Sequence, residues 1–207
     1  SLAEIFGRIV YCGFEIIDFR YFGNFTWFIV RKKSTPVHNK DPKFRMFIRL
    51  KRVGKNGNMF GMYKIRTMYP YSEYIQDYIV KINGLSPLGK PDKDFRLMRI
   101  GRMIRKIWID EIPQILNLIS GDMNIIGVRP ISKFLYDSYP EDLQKARLKY
   151  KPGLIPPQIA LREKGFAGVI KAERQYLSEM EKNPFRTNLK YLVIAVFNII
   201  TFRVKTS

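Results

Sequence analysis

Two adjacent carboxylates, Asp110 and Glu111, are the residues whose type and position best suit chemistry in this chain. The sequence has 18 acidic and 37 basic side chains, so a carboxylate pair directly after an arginine-rich stretch is unusual. Pro113 is tolerated only in the first turn of a helix, so we predict a helix from about Asp110 to Gly121. Both carboxylates would lie at its N-terminus, where free N–H groups and the helix dipole favour anions. Asp110 could equally be a simple N-cap.

The chemistry open to such a pair is nucleophilic attack at phosphorus combined with metal binding. In a strongly basic field, both carboxylates should stay ionised at neutral pH. An ionised, partly desolvated aspartate is the nucleophile in enzymes that form aspartyl phosphates. A neighbouring carboxylate can hold Mg²⁺, which prefers oxygen ligands and usually bridges substrate phosphates. Adjacent Asp-Glu pairs are frequent by chance, so the spacing alone does not decide the function.

The charge of the chain predicts an anionic partner. The formal net charge is +19 over 207 residues, and nucleic acid, an anionic membrane face or phosphorylated substrates would all fit it. Four arginines recur every three residues in a helix predicted at residues 94–109, namely Arg96, Arg99, Arg102 and Arg105. This row is either a solvated helix face or a wall of cations directed at phosphates.

The single cysteine and the single histidine narrow the class of chemistry. Cys12 cannot form an intrachain disulfide, and we expect it to be a small buried residue of a protein in a reducing compartment. His38 lies among prolines and polar residues and is expected in a loop. Serine–histidine, cysteine–histidine and histidine-rich zinc sites therefore have little support.

The elements that must position the carboxylates follow from apolar periodicity and turn residues. One amphipathic helix is predicted at residues 1–20, and a hairpin at residues 46–68 turning at an Asn-Gly pair. Further helices are predicted at residues 72–83, 139–149 and 169–182. Together these elements predict an α/β (α+β) fold that is helix-rich, with a small β-hairpin and amphipathic helices on a membrane surface.

Two apolar, aromatic stretches suggest the domain boundaries. Residues 21–30 and residues 189–202 are each followed by cations, so each is either an interfacial segment or an ordinary core element. Neither reaches the roughly 18 apolar residues of a membrane-spanning helix. Because residue 1 is not methionine, the chain is compatible with a fragment of a longer membrane protein. The predicted parts are a membrane-associated segment at 1–33, a catalytic domain at 34–188 and an interfacial helix at 189–207.

Two longer motifs resemble the signatures of one protein family. The first is KRVGKNGNMF at residues 51–60, continued by YKIRTM at residues 63–68. The second comprises Arg99-Ile100-Gly101-Arg102, Arg105, Asp110-Glu111-Ile112-Pro113-Gln114, Asn117, Gly121-Asp122-Met123 and Gly127-Val128-Arg129-Pro130. In order, spacing and residue type, the two motifs resemble the bacterial sugar transferases, which are monotopic phosphoglycosyl transferases. The resemblance covers about residues 46–155.

The resemblance implies transfer of a sugar-1-phosphate from a UDP-sugar to undecaprenyl (polyprenyl) phosphate, the first membrane step of exopolysaccharide, capsule or glycoconjugate assembly. Asp110 would attack the sugar-bearing phosphate, release UMP and form a covalent sugar-phosphoryl enzyme, which the polyprenyl phosphate then attacks. Glu111 would bind the cofactor Mg²⁺, with Glu173 as the expected second metal ligand. The cations expected to bind substrate phosphates are Lys64, Arg66, Arg102, Arg105 and Arg129.

The sequence departs from the family pattern in three places. Val128 stands where the family often has proline, although Arg129 is kept. Residues 155–159 replace a usual Thr-Gly-Trp-like run, so nucleotide or sugar contacts from this region are in question. Residues 1–30 are shorter and less apolar than the re-entrant helix of the family.

The resemblance also implies partners and a location. The expected partners are a UDP-sugar, undecaprenyl phosphate and the anionic cytoplasmic face of the bacterial inner membrane. Nucleic acid is not expected, and a homo-oligomer stays open, as does the identity of the sugar. Two alternatives remain, a basic module that binds nucleic acid and a catalytically silent membrane-surface protein of the same fold.

Overall fold

The computed structural model describes residues 1–37, 44–83, 94–201 and 203, so His38 lies outside the described residues. It confirms a helix-rich α/β fold, because these residues form nine α-helices and three separate two-stranded sheets. Among them, no helix has the length and apolar character needed to cross a bilayer. The chain divides into two compact units. The described residues of unit 1 come from 1–46, 66–86 and 90–104, and those of unit 2 from 47–65 and 105–207.

Unit 1 begins with helix α1 (Leu2–Tyr11), followed by the antiparallel strands β1 (Phe14–Phe22) and β2 (Phe25–Lys32). The single helix predicted at residues 1–20 is therefore wrong beyond Tyr11. The physical reason is Gly13, which has φ +84° and whose Cβ, if present, would lie 2.1 Å from the Ser34 carbonyl oxygen. The chain turns there and continues as a strand. Cys12 caps the end of α1 and is exposed, so its predicted burial is also wrong.

The core of unit 1 is centred on Phe6, with aliphatic residues buried around it. Phe6 is fully buried and packs edge-to-face against four other rings, those of Phe19, Phe28, Tyr78 and Phe95. Such edge-to-face pairs stabilise a core beyond their buried area. A 3₁₀ turn (Ser72–Ile75) and helix α2 (Gln76–Asn83) confirm the helix predicted at residues 72–83.

Helix α3 (Arg99–Lys106) is shorter than the helix predicted at residues 94–109. Arg96 lies before it and is buried, paired with Asp94 and hydrogen-bonded to Gln76. One member of the predicted arginine row is therefore a structural residue, whereas Arg99 and Arg102 are exposed.

Unit 2 begins with strands β3 (Phe47–Val53) and β4 (Met59–Ile65), which confirm the predicted hairpin. They pair antiparallel from Phe47 opposite Ile65 to Val53 opposite Met59. Asn56 and Gly57 take φ values of 57° and 79° in the turn. Asn-Gly suits such a turn because both residues tolerate positive φ.

The remaining elements of unit 2 follow in chain order, and the first two of them contact β4. They are a 3₁₀ helix (Ile109–Gln114), α4 (Ile115–Ile119), β5 (Asn124–Ile126), α5 (Lys133–Asp137), α6 (Glu141–Leu148), β6 (Gly153–Ile155), α7 (Pro157–Leu161), α8 (Gly165–Lys182) and α9 (Pro184–Ile200). Helices α6 and α8 confirm the helices predicted at residues 139–149 and 169–182. Strands β5 and β6 pair in parallel.

Helices α8 and α9 provide the centre of the unit 2 core. Tyr176 on α8 and Tyr191 on α9 are each 1% exposed, and their rings meet edge-to-face at 5.0 Å. Tyr191 and Ala195 on α9 face this core, whereas Val193 and Phe197 are exposed. The segment predicted at residues 189–202 therefore has one face in the core and one exposed apolar face. The domain boundary predicted at residue 188 falls inside α9.

Candidate active site

The two carboxylates meet a lysine from the hairpin. Asp110 and Glu111 lie in the first turn of the 3₁₀ helix, and Lys64 lies near the end of β4. The Lys64 Nζ is 2.7 Å from Glu111 Oε1 and 3.4 Å from Asp110 Oδ2. The Asp110 side chain is 8% exposed and that of Glu111 is 31% exposed. One ammonium group therefore bridges a buried carboxylate and a more accessible one, all within unit 2.

The chain turns into the 3₁₀ helix at Trp108. This residue has φ 61° and occupies the N-cap position, and its carbonyl accepts the Glu111 N–H at 3.0 Å. A left-handed conformation is rare for a bulky residue, and packing of Trp108 against the unit 2 core supports it here. Asp110 lies inside the first turn rather than at the cap, so the alternative of Asp110 as a simple N-cap is wrong.

Asn117 holds the helical segment against β4. It is fully buried, its Oδ1 accepts the Tyr63 N–H at 3.0 Å, and its Nδ2 donates to the Gly61 carbonyl at 2.9 Å. These bonds place the helix opposite the strand that contains Lys64. Asn117 belongs to the second motif, but its positioning role was missed because its partners lie more than 50 residues away in the chain.

The backbone of Arg129 is held on both sides by a buried ion pair. Glu173 Oε1 accepts the Arg129 N–H at 3.3 Å, and Arg147 Nη2 donates to the Arg129 carbonyl at 2.6 Å. Arg147 and Glu173 also pair directly, with side chains only 4% and 0% exposed. The Arg129 side chain is exposed. The pair therefore fixes the main chain from which this guanidinium projects.

Glu173 is fully buried in its ion pair with Arg147. Burial raises the pKa of its carboxyl group, while the charge of Arg147 and the hydrogen bonds from Arg147 and Arg129 act in the opposite direction. In the part of the chain that is described, no three side chains of the His, Cys, Asp or Glu type form a metal-binding group. The metal role of Glu173 stays a prediction, and the contacts described are those of a positioning residue.

A further cation of the first motif, Arg52, was not among the predicted site residues. Burial lowers the pKa of its guanidinium, and the nearby charge of Arg129 lowers it further. The sequence signal for a cation near Arg129 was the Lys51-Arg52 pair of the motif.

The other predicted phosphate-binding arginines lie in different surroundings. Arg105 is half-buried in the last turn of α3 and belongs to unit 2. Arg66 and Arg102 belong to unit 1. Arg66 donates from Nε to the Arg45 carbonyl at 2.9 Å, and burial lowers the pKa of its guanidinium. The phosphate-binding roles of these three arginines stay predictions.

The donor set at the carboxylate pair fits magnesium. Adjacent carboxylates supply hard oxygen ligands, and Mg²⁺ commonly takes one or two carboxylates with substrate phosphates and water. Asp110 and Glu111 present such oxygens beside Lys64. A buried carboxylate, an accessible carboxylate and an ammonium group together suit attack on a phosphate ester and charge compensation during it.

The carboxylate pair and Lys64 suit a group-transfer reaction, and sequence comparison gives the family. The model of the family described as "Bacterial sugar transferase" matches residues 27–201. The chain belongs to the bacterial sugar transferase family. The match includes every residue of the predicted site and confirms the resemblance found in the two motifs.

Individual relatives match the chain over part of their length. The galactosyl transferase CpsE of Streptococcus agalactiae serotype III is 39% identical over 132 residues, which are 62% of this chain and 29% of that protein. The undecaprenyl-phosphate galactose phosphotransferase of Salmonella typhimurium is 35% identical over 111 residues, 50% of this chain and 22% of that protein. The sugar transferase EpsL of Bacillus subtilis, named as uncharacterized, is 37% identical over 131 residues, 63% of this chain and 54% of that protein.

Proposed function

We propose that this chain is a phosphoglycosyl transferase domain that moves a sugar-1-phosphate from a UDP-sugar to undecaprenyl phosphate. The observation that carries the proposal is the contact of Lys64 with both Asp110 and Glu111. Family membership and the name of the Salmonella relative support the reaction class and the acceptor. The chain spans between about a fifth and a half of these relatives, and the proposal concerns the part that it spans.

In the first half-reaction, a carboxylate oxygen of Asp110 attacks the phosphorus that carries the sugar. A new P–O bond to Asp110 forms, the bond from this phosphorus to the bridging oxygen breaks, and its electron pair leaves with UMP. Lys64 compensates the negative charge that two carboxylates and a diphosphate bring together. The burial of Asp110 suits this role, because a partly desolvated carboxylate is a stronger nucleophile.

In the second half-reaction, a phosphate oxygen of the acceptor attacks the same phosphorus. The P–O bond to Asp110 breaks, the carboxylate is restored, and a polyprenyl diphosphate sugar is released. Arg129 projects from a main chain fixed by Arg147 and Glu173, so it suits binding of a phosphate in a defined position. Two displacements at one phosphorus give ping-pong kinetics.

Glu111 would hold Mg²⁺, and the ion would supply charge neutralisation for the phosphates. We further propose that the domain works at the cytoplasmic face of the bacterial inner membrane, where both substrates are available. The name of the Salmonella relative suggests the first donor to test, because it names galactose.

The proposal is tested by UMP release from a panel of UDP-sugars, with Mg²⁺ and with or without undecaprenyl phosphate in detergent. The wild-type protein should release about one UMP per chain without acceptor and should turn over repeatedly with it. Asp110→Asn should abolish both signals, and Asp137→Asn, which alters an exposed carboxylate of the same unit, should change neither. Full turnover in Asp110→Asn would refute the covalent mechanism.

A further inference from the structure

The helical segment that follows the carboxylate pair is inverted relative to an ordinary amphipathic helix. Its polar residues Gln114 and Asn117 are buried. Four of its five aliphatic residues are exposed, with fractions of 55% for Ile112, 49% for Ile115, 54% for Leu116 and 78% for Ile119, whereas Leu118 is half-buried. These four residues are called the aliphatic row. Since a helix in water normally turns its apolar face inward, an exposed row of this kind indicates an apolar partner.

The orientation of this segment is fixed by hydrogen bonds. The side chain of Asn117 bonds to the N–H of Tyr63 and the carbonyl of Gly61, two groups of β4. Rotating the segment to bury the aliphatic row would break these bonds and leave buried polar groups without partners, which is costly. The row therefore stays on the outside whether or not a partner is present.

The position of the aliphatic row links it to the reacting groups. Ile112 directly follows Glu111, and no charged residue occurs from Ile112 to Ile119. With rises of about 2.0 Å per residue in the 3₁₀ helix and 1.5 Å in α4, the row extends about 12 Å along the axis from Ile112. Because the row begins next to the charged groups, a ligand that contacts both Lys64 and the row needs a phosphate joined directly to an apolar chain.

We propose that the aliphatic row binds the first isoprene units of the polyprenyl phosphate acceptor and selects acceptors by their chain. The inference rests on the proposed function, since it concerns the acceptor of that reaction. The charged group and the apolar row of the protein match the charged head and the apolar chain of an amphiphilic ligand. The ammonium of Lys64 matches the phosphate, and the uncharged residues from Ile112 to Ile119 match the chain that leaves it. Ile107 and Ile109, which precede the carboxylates, are exposed as well, so exposed aliphatic residues flank the reacting groups on both sides in the sequence.

The test compares acceptors of increasing chain length in one detergent. Butyl, geranyl and farnesyl phosphate are assayed with the wild-type protein and with the double variant Ile115→Ser, Ile119→Ser. The ratio of kcat/KM for farnesyl phosphate to that for butyl phosphate should fall at least about tenfold in the double variant, because apolar contacts of this size discriminate by such factors. Val193→Ser, at an exposed aliphatic position on α9, should keep the wild-type ratio.

Two further measurements make each outcome decisive. The burst of UMP from the wild-type protein without acceptor tests the proposed function separately. If the burst is absent, the proposed function is overturned, and the inference about the acceptor chain falls with it. Flotation with phosphatidylcholine and phosphatidylglycerol vesicles lacking acceptor tests the bilayer as the occupant. If the double variant loses vesicle binding but keeps the wild-type ratio of kcat/KM values, the row belongs to the bilayer and the inference is overturned. The inference is also overturned if neither the ratio nor vesicle binding changes. Ile119→Ser alone, at the most exposed position, replaces the double variant if the latter fails to fold.

Discussion

Removing one partner of the buried pair Arg147–Glu173 should destabilise unit 2 strongly. In Glu173→Ala, the Arg147 guanidinium, with a side chain only 4% exposed, keeps its charge without a carboxylate. Breaking a buried pair in this way costs about 3–5 kcal/mol. The chain provides a matched control, because Arg174 and Asp142 join the same two helices, α8 and α6, with side chains 51% and 66% exposed. Arg174→Ala should cost less than about 1 kcal/mol.

Urea unfolding measures this difference. The chain has two tryptophans, so in a Trp27→Phe background the fluorescence of Trp108 reports on unit 2. For an m value of about 2 kcal/mol per molar urea, the Glu173→Ala midpoint should fall by about 2 M and the Arg174→Ala midpoint by less than about 0.5 M. Equal midpoints for Glu173→Ala and Arg174→Ala would refute the assignment of a strong buried pair.

A double variant separates stability from positioning. Arg147→Met with Glu173→Leu removes both charges and should recover most of the lost stability, since buried pairs are often replaceable by apolar residues. It also removes both partners of the Arg129 main chain. Turnover in the UMP assay should therefore stay reduced by about 100-fold, the effect of a small misplacement of a catalytic group. Recovery of turnover together with stability would show that the pair does not position Arg129.

Three further predictions concern the elements around the carboxylates. Asn117→Ala should lower the free energy of unfolding by roughly 1–3 kcal/mol in urea titrations, because a β4 N–H loses its acceptor. Gly153→Ala should cost about 1–3 kcal/mol in thermal unfolding, since its Cβ would lie 2.0 Å from a backbone nitrogen, whereas Gly168→Ala, with 3.2 Å to a side chain, should cost less. Lys64→Gln should reduce UMP release about 100-fold, and Lys133→Gln, at an exposed position, should leave it unchanged.

Local sequence patterns were sufficient to predict several elements of the fold. The hairpin β3–β4 was predicted because Asn56-Gly57 tolerates the positive φ values of the turn. Helix α8 was predicted from its polar sequence and its Asn-Pro end, and the structure extends it to Gly165. The order and spacing of the two motifs also gave the carboxylate pair and Lys64, which the structure brings together.

Other features depend on residues far apart in the chain. The helix predicted at residues 1–20 failed because the close approach of Ser34 requires a glycine at position 13, and no local periodicity shows that approach. The roles of Asn117 and Arg147 depend on partners 54 and 26 residues away. The exposure of Ile115 and Ile119 was likewise hidden, because their spacing is equally typical of a buried face.

The exposed position of Cys12 gives the protein a unique chemical handle. It is the single cysteine of the sequence, and it lies at the end of α1, just before the strand pair β1–β2, whose exposed aromatic residues include Phe25 and Trp27. A maleimide fluorophore would therefore label the chain once, without any substitution. Quenching of that fluorophore by nitroxide-bearing lipids would then report the depth of this segment in a bilayer directly.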